Sequence, residues 1–332
     1  MSRGLVMYDS LLAVCSDFHL YVFAFDEKCY TFLKALHLEH MTVVSLQEFE
    51  DRELLRVKPS RSAAEYCWTS TASTILYSMT HFSLQNCTYI DADMFFYSDP
   101  IVLIEEMGSK SVLITEHRYA KEHDQSKDSG KYCVQFVTFK NDVKGMEVLN
   151  WWRSACIEWC YDRMEDGKFG DQKYLDDWTT RFEGVHELKH LGGGIAPWNV
   201  SQYSFVQNAG KIVGEEIATG NKFNAVFFHF HAARFYADDI AQLTGLEYTL
   251  TKDVISIFYL PYIKQINFKK NAINAIDASF NPNGQLGNSS MKPMSIGVLL
   301  FFYLRDLKRS FKNVFGKNMK YHIAHHYFYK MK

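Results

Sequence analysis

The sequence predicts an α/β fold: a mixed, mostly parallel sheet flanked by helices, followed by a C-terminal amphipathic helical extension. Three observations predict it. Through the first half of the chain, apolar runs of strand length alternate with longer segments of helical period. One such run, Cys87 to Ile90, ends in the carboxylates Asp91 and Asp93, at the point where open α/β sheets bind their ligands. Beyond the turn-rich stretch Asn281 to Ser290, the composition changes to apolar residues interleaved with cations.

Taken in order, Gly4 to Val14 reads as a helix, Leu20 to Phe25 as a strand, Tyr30 to Leu38 as a helix and Met41 to Ser45 as a strand. Ser62 to Phe82 is a further helix before the acidic pair, and Lys110 to Thr115 a strand after it. Val134 to Phe139 follows as a strand, Val143 to Tyr161 as a Trp-rich helix and Leu191 to Trp198 as a Gly-rich loop. Strands alternating with helices imply right-handed crossovers and hence parallel pairing. The expected organisation is an α/β domain over 1–280, a linker over 281–291 and a basic amphipathic tail over 292–332.

Composition sets limits. The 332 residues, 47% hydrophobic and 22% charged, suffice for an extensive core. A net charge of −2 argues against a dedicated nucleic-acid binder, which needs a basic face. The seven scattered cysteines do not form a disulfide framework and point to a reducing compartment. Cys156 and Cys160 lie one helical turn apart, but no second Cys/His pair has the spacing of a zinc site. The start has no long apolar core of a signal peptide, and the longest late apolar block, Ile296 to Leu304, is too short to span a bilayer.

The chemistry concentrates at Tyr89-Ile90-Asp91-Ala92-Asp93-Met94, followed by Ser98-Asp99-Pro100. Residues i and i+2 of extended chain share a face, so Asp91 and Asp93 converge on one divalent cation. Two hard oxygen donors suit Mg²⁺ or Mn²⁺, which in turn suits a diphosphate as the remaining ligand. The bland alternative is a solvated turn at a strand end.

These residues resemble the GT-A glycosyltransferases that carry a metal-binding Asp-x-Asp, and in particular glycosyltransferase family 8 and related transferases of bacterial surface glycans such as lipopolysaccharide. The resemblance runs from about residue 5 to about 240, and is strongest at Asp91 to Pro100, at Phe169-Gly170-Asp171-Gln172-Lys173-Tyr174-Leu175 and at Phe227-Phe228-His229-Phe230. It implies a GT-A (Rossmann-like) domain that moves a sugar from a nucleotide-diphosphate donor to a glycan or lipid-linked acceptor, with retention. A GT-A domain normally opens with a strand, whereas this chain begins in a helix; the expectation is that the first strand is missing and the nucleotide pocket less complete.

The resemblance also implies roles. Asp91, Asp93 and a histidine from an apolar strand hold Mn²⁺ (or Mg²⁺); His229 matches that position, and His231 competes with it. Arg234 stands where the family places a basic residue on the phosphates. Asp171 and Gln172 lie beside the sugar's anomeric centre, although Asp171 equally suits a helix N-cap. Arg61, Glu65 and Trp68, with Asp91, fall among the donor contacts; Arg61 pairs bidentately with phosphate or carboxylate, or else sits on an exposed helix face. Ser129-Gly130-Lys131 replaces an Asn-x-Gly that touches the sugar, and Gly192 to Asn199 reads as a close-packed loop with Trp198 as a sugar platform.

From Lys292 to Lys332 nine Lys/Arg face the single acid Asp306, and Phe301, Phe302, Leu304, Leu307, Phe311, Val314 and Phe315 recur at helical spacing among them. Such a helix can lie on an anionic membrane, each cation contributing roughly 1 kcal/mol, or else pack on the domain with an ordinary solvated charge face. The location implied is cytoplasmic, peripheral on the inner face of the plasma membrane. Two alternatives stay open: a phosphohydrolase or nucleotidyltransferase using the same carboxylates, and a non-catalytic membrane-associated scaffold.

Overall fold

The computed structural model describes residues 1–245, 247–287 and 328–331. Helix α1 (Ser2–Val14) is followed by strand β1 (Leu20–Ala24), helix α2 (Glu27–Ala35) and strand β2 (Met41–Ser45), and β1 and β2 pair in parallel. Helix α3 (Ala63–His81) leads into β3 (Asn86–Ile90), the acidic turn and β4 (Met94–Phe96). Then come β5 (Val112–Glu116), β6 (Tyr132–Lys140), helix α4 (Val143–Glu158) and β7 (Val185–Glu187). The main sheet has the order β3-β6-β5-β7.

The fold is mixed α/β, but the expectation of mostly parallel pairing is corrected. Strand β6 runs antiparallel to both β3 and β5, and only β1 with β2 and β5 with β7 pair in parallel among the described residues. The reason is the connection: β5 and β6 are joined by a segment with only short helical turns, which returns the chain in the opposite sense rather than crossing over. Alternation of element types does not record that reversal.

Helix α3 starts at a reciprocal cap in which Ser62 and Glu65 satisfy each other's backbone N–H groups (2.8 and 3.3 Å). Helices α3 and α4 cover one face of the sheet, with Ile75, Met79, Leu149 and Trp152 against Val112, Val137 and Phe139. The tryptophan richness of α4 is thus core chemistry, the Trp152 ring lying edge-on to Trp178 at 5.4 Å. On the other face Phe136 and Leu113 meet Met7 and Leu11 of α1, together with Phe96 and Phe227.

The second half forms a smaller antiparallel sheet of β8 (Tyr203–Asn208), β9 (Lys211–Glu216) and β10 (Lys222–Asn224). Strand β11 (Phe227–His229) then pairs antiparallel with β4, His229 opposite Met94. Strands β12 (Arg234–Tyr236) and β13 (Ile240–Gln242) and helix α5 (Leu260–Ile276) complete the body. Phe228 and Phe230 are fully buried against Phe258, Tyr259 and Tyr262, the Phe230 and Tyr262 rings stacking at 3.7 Å.

The turn-rich run is docked at its start: Pro282 accepts hydrogen bonds from the Ser2 backbone (3.1 Å) and hydroxyl (2.9 Å), and Asn283 is buried. The rest of the expected linker and the helical tail from 292 to 327 lie outside the described residues. At the far end of that tail Phe328–Lys330 forms strand β14 on β13, so this stretch is extended rather than helical. No helix among the described residues is long and apolar enough to cross a membrane.

The Gly-rich loop runs beside β11 and is as close-packed as its sequence suggests. The carbonyl of Gly192 accepts from Val226 and Phe227, and that of Ile195 from His229 (2.9 Å). A Cβ on Gly192 would stand 1.9 Å from the Asn224 carbonyl oxygen. Gly192→Ala is therefore expected to lower stability by about 1–3 kcal/mol in urea unfolding, through overpacking against backbone that cannot step aside.

Candidate metal centre

Asp91 follows the last residue of β3, and Asp93 precedes the first of β4. The Asp91 N–H donates to the Gln135 carbonyl on β6 (3.2 Å), and the Asp93 carbonyl accepts from the N–H of Phe230 (2.9 Å). The acidic turn is thus pinned at one end to the main sheet and at the other to the chain that leaves β11. Alternation along β11 does the rest. With Phe228 and Phe230 held in the aromatic core, His229 between them must point the opposite way, toward the carboxylates.

The Nε2 atom of His229 lies 3.1 Å from Oδ1 of Asp93 and 3.7 Å from Oδ2 of Asp91. One donor atom from each of the three residues falls within 4.8 Å of the others. The imidazole is buried, while both carboxylates remain 28% exposed, which leaves one side of the cluster open to a ligand. Two oxygens and one imidazole nitrogen with an open side form a donor set that could hold a metal ion. His229, not His231, completes the cluster.

The electrostatics are those of two acids sharing an enclosure. Burial raises the Asp91 carboxyl above its ordinary value, with the neighbouring Asp93 adding to that and His229 opposing it. For Asp93 burial acts in the same sense, but the His229 imidazolium outweighs it, helped by Arg3 and His231, and the carboxyl ends well below the usual range. Burial disfavours charge on His229, yet Asp93 and Asp91 hold it well above a normal histidine. Burial and the cationic His229 push His231 down to about 4. Arg234 is exposed at the start of β12 and adds to the lowering of His231.

Asp171 stands at the entry of the 3₁₀ turn Gln172–Asp177, where it makes no side-chain capping bond, so the N-cap alternative does not account for it. The residue is 6% exposed, and its carboxyl is pushed up to about 7 by burial, against a hydrogen bond from Thr71, with the Asp91 charge adding to the rise. Gln172 donates from Nε2 to the Ser129 carbonyl (2.7 Å) and so ties the 126–130 segment to this element. Trp68 is half-buried beside Phe169, and a Cβ on Gly170 would touch its ring at 3.5 Å.

Other expected donor contacts are engaged by local structure. Arg61 lies over the Tyr161 ring at 3.9 Å and donates to the Ile157 carbonyl (3.3 Å), on the wall of a cavity of about 440 Å³ that also includes Arg56 and Glu158. The Glu65 carboxylate caps α3 and accepts from the Asp162 N–H (2.9 Å), which holds it below the usual carboxylate range. Trp198 is corrected as a sugar platform: it is 3% exposed, its indole N–H donates to the His117 carbonyl (2.9 Å), and its ring edge backs both His229 and His231.

Three residues were not signalled by the sequence. Tyr89 donates its hydroxyl to Oδ1 of Asp91 (2.9 Å), one strand-face position before it. Gln135 accepts from Nδ1–H of His229 (2.7 Å). Arg3, in the first turn of α1, lends positive charge to Asp93 and donates to the Ala233 carbonyl (2.9 Å). Only the i, i+2 relation of Tyr89 to Asp91 was open to sequence reasoning; the other two depend on tertiary approach.

No family model matches the chain. It is 32% identical over 278 residues to the uncharacterized protein YfnD of Bacillus subtilis (strain 168), across 82% of this chain and 86% of that protein. It is 31% identical over 252 residues to the uncharacterized protein YfnF of the same organism, across 73% of this chain and 81% of that protein.

Asp171 makes a pH prediction with a definite sign. Its folded-state value near 7 exceeds the ordinary 3.8, so its contribution is most favourable below pH 4 and is lost as pH rises through 7. The shift of about three units corresponds to up to about 4 kcal/mol. Asp171→Asn removes a buried acid that ionises at a cost, so its Tm relative to the wild type should rise between pH 4 and pH 8. A constant difference across that range in thermal scans would contradict the assignment.

Proposed function

The chain belongs to the family of the Bacillus subtilis proteins YfnD and YfnF, and from that premise and the site's geometry we propose that it is a metal-dependent glycosyltransferase of GT-A type. It transfers a sugar, with retention, from a nucleotide-diphosphate sugar to a surface glycan or lipid-linked acceptor. The observation that carries the reading is the convergence of Asp91, Asp93 and His229 at the carboxyl end of a sheet strand, open on one side. The mixed α/β architecture supports the GT-A assignment.

Asp91, Asp93 and His229 would hold Mn²⁺ or Mg²⁺, which supplies counter-charge for a departing nucleoside diphosphate. The chain's own residues do the remainder. Tyr89 fixes the Asp91 carboxylate through its hydroxyl, leaving the other oxygen to face the cluster. Asp171, buried and near half-protonation at neutral pH, is suited to exchange hydrogen bonds with sugar hydroxyls in either direction. Gln172 ties the neighbouring 126–130 segment to this element, Trp68 packs against Gly170, and the exposed Arg234 is the residue that would meet the donor phosphates.

The test is a thermal-shift screen of the purified protein with Mn²⁺ and UDP, GDP, CDP or ADP. One nucleotide should raise the midpoint only when the metal is present, and the Asp91→Asn/Asp93→Asn variant should lose the effect. With a matching donor sugar, Asp93→Asn should lower turnover by orders of magnitude, and the product should be the nucleoside diphosphate. Release of inorganic phosphate or pyrophosphate would favour the hydrolase or nucleotidyltransferase reading instead, and no nucleotide response in any combination would favour the scaffold.

The sequence of the tail adds a location, peripheral on the inner face of the plasma membrane. The full chain should float with vesicles containing phosphatidylglycerol. Lys308→Glu/Arg309→Glu/Lys312→Glu should abolish flotation without altering nucleotide binding.

A further inference from the structure

We infer that Gln135 is the positioning residue of the metal centre: its side chain sets the tautomer and orientation of His229, and its backbone holds Asp91. The inference rests on the metal reading of Asp91, Asp93 and His229.

Gln135 lies in β6, between β3 and β5, and is fully buried. Its backbone carbonyl accepts from the N–H of Asp91 (3.2 Å), which fixes the first ligand where β3 ends. Its side-chain oxygen accepts from Nδ1–H of His229 (2.7 Å), across a separation of 94 residues in sequence. An imidazole with its proton held on Nδ1 presents the Nε2 lone pair, and Nε2 is the atom that faces Asp91 and Asp93. One residue therefore registers the carboxylate side of the site to the histidine side.

The cost of keeping a glutamine there points the same way. The Gln135 Nε2 atom is buried with no hydrogen-bond partner among the described residues. An unsatisfied buried donor is destabilising, so as a packing element an aliphatic residue of the same shape would serve better. Around it the protein makes room: Gly194, in the left-handed region at φ 100°, would place a Cβ 3.2 Å from that nitrogen and 2.9 Å from the Thr115 methyl. What the amide offers that leucine lacks is the acceptor aimed at His229, and metal-bound histidines need such a partner on their other nitrogen.

The experiment measures Mn²⁺ affinity of the purified full chain, by electron paramagnetic resonance of the unbound ion, in four variants. Gln135→Leu removes the acceptor at similar volume and should weaken binding 10–100-fold. Gln135→Met serves as its check should leucine fail to fold. Gln135→Glu keeps an acceptor and should restore affinity near the wild type. Asp93→Asn should abolish binding. In the Mg²⁺-loaded wild type, ¹⁵N spectra should show the His229 proton on Nδ1, and a mixture of tautomers in Gln135→Leu. Wild-type affinity in a folded Gln135→Leu or Gln135→Met variant overturns the inference while leaving the metal site standing. Absence of Mn²⁺ binding by the wild type overturns the metal reading, and this inference falls with it.

Discussion

Two carboxylates held side by side in a partly enclosed space demand a positive charge. Asp91 and Asp93 cannot both ionise beside each other at low cost unless something cationic stands between them and the rest of the interior. In the protein as folded that cation is the His229 imidazolium, at 3.1 Å from one carboxylate and 3.7 Å from the other. Much of the architecture around the site is a means of bringing this one ring to that place.

The means is a three-residue strand. Strand β11 is too short to be fixed by its ladder with β4 alone, and its position is set by what lies on its two faces. Phe228 and Phe230 are inserted among Phe258, Tyr259 and Tyr262, an aromatic cluster that α5 and the segment before it provide. The Gly192–Ile195 backbone then runs along β11 and accepts its N–H groups, which requires that no side chain intervene at Gly192. Burial energy on one face is converted into orientation on the other, since a slip of one residue would exchange His229 for a phenylalanine at the carboxylates.

This division explains what the sequence disclosed. The acidic pair was legible because i and i+2 on an extended chain share a face, a rule that needs no tertiary knowledge. His229 was legible as a polar residue in an apolar run, although its competition with His231 was not, since that depends on where β11 ends. Arg61 and Glu65 look like ligand contacts in sequence, but the first rests on Tyr161 and the second closes a helix cap, and local hydrogen bonds of that kind compete with any functional role. Gln135 carried no signal: it sits in an uninterrupted buried strand and acquires its partner only when β11 arrives from a distant part of the chain. The antiparallel course of β6 was hidden for the same reason, because pairing sense lies in the connections rather than in the periodicity.

The charge balance of the site argues for an order of events. With His229 protonated, two carboxylates and one imidazolium leave a net negative charge at the open side, which repels a diphosphate. On the proposed function, a divalent cation held by Asp91, Asp93 and His229 would cancel that charge, since a ligating imidazole must give up its Nε2 proton and become neutral. Arg3 and Arg234 add positive potential in the surroundings, their influence reaching Asp93 and His231 respectively. If the proposed function holds, an anionic donor would meet a repelling site without the cation and a neutralised one with it, so the metal would gate the nucleotide as well as supply its counter-charge. Gln135 would sharpen such a gate: its oxygen accepts from Nδ1–H, so the nitrogen freed by deprotonation would be Nε2, the one already aimed at the carboxylates.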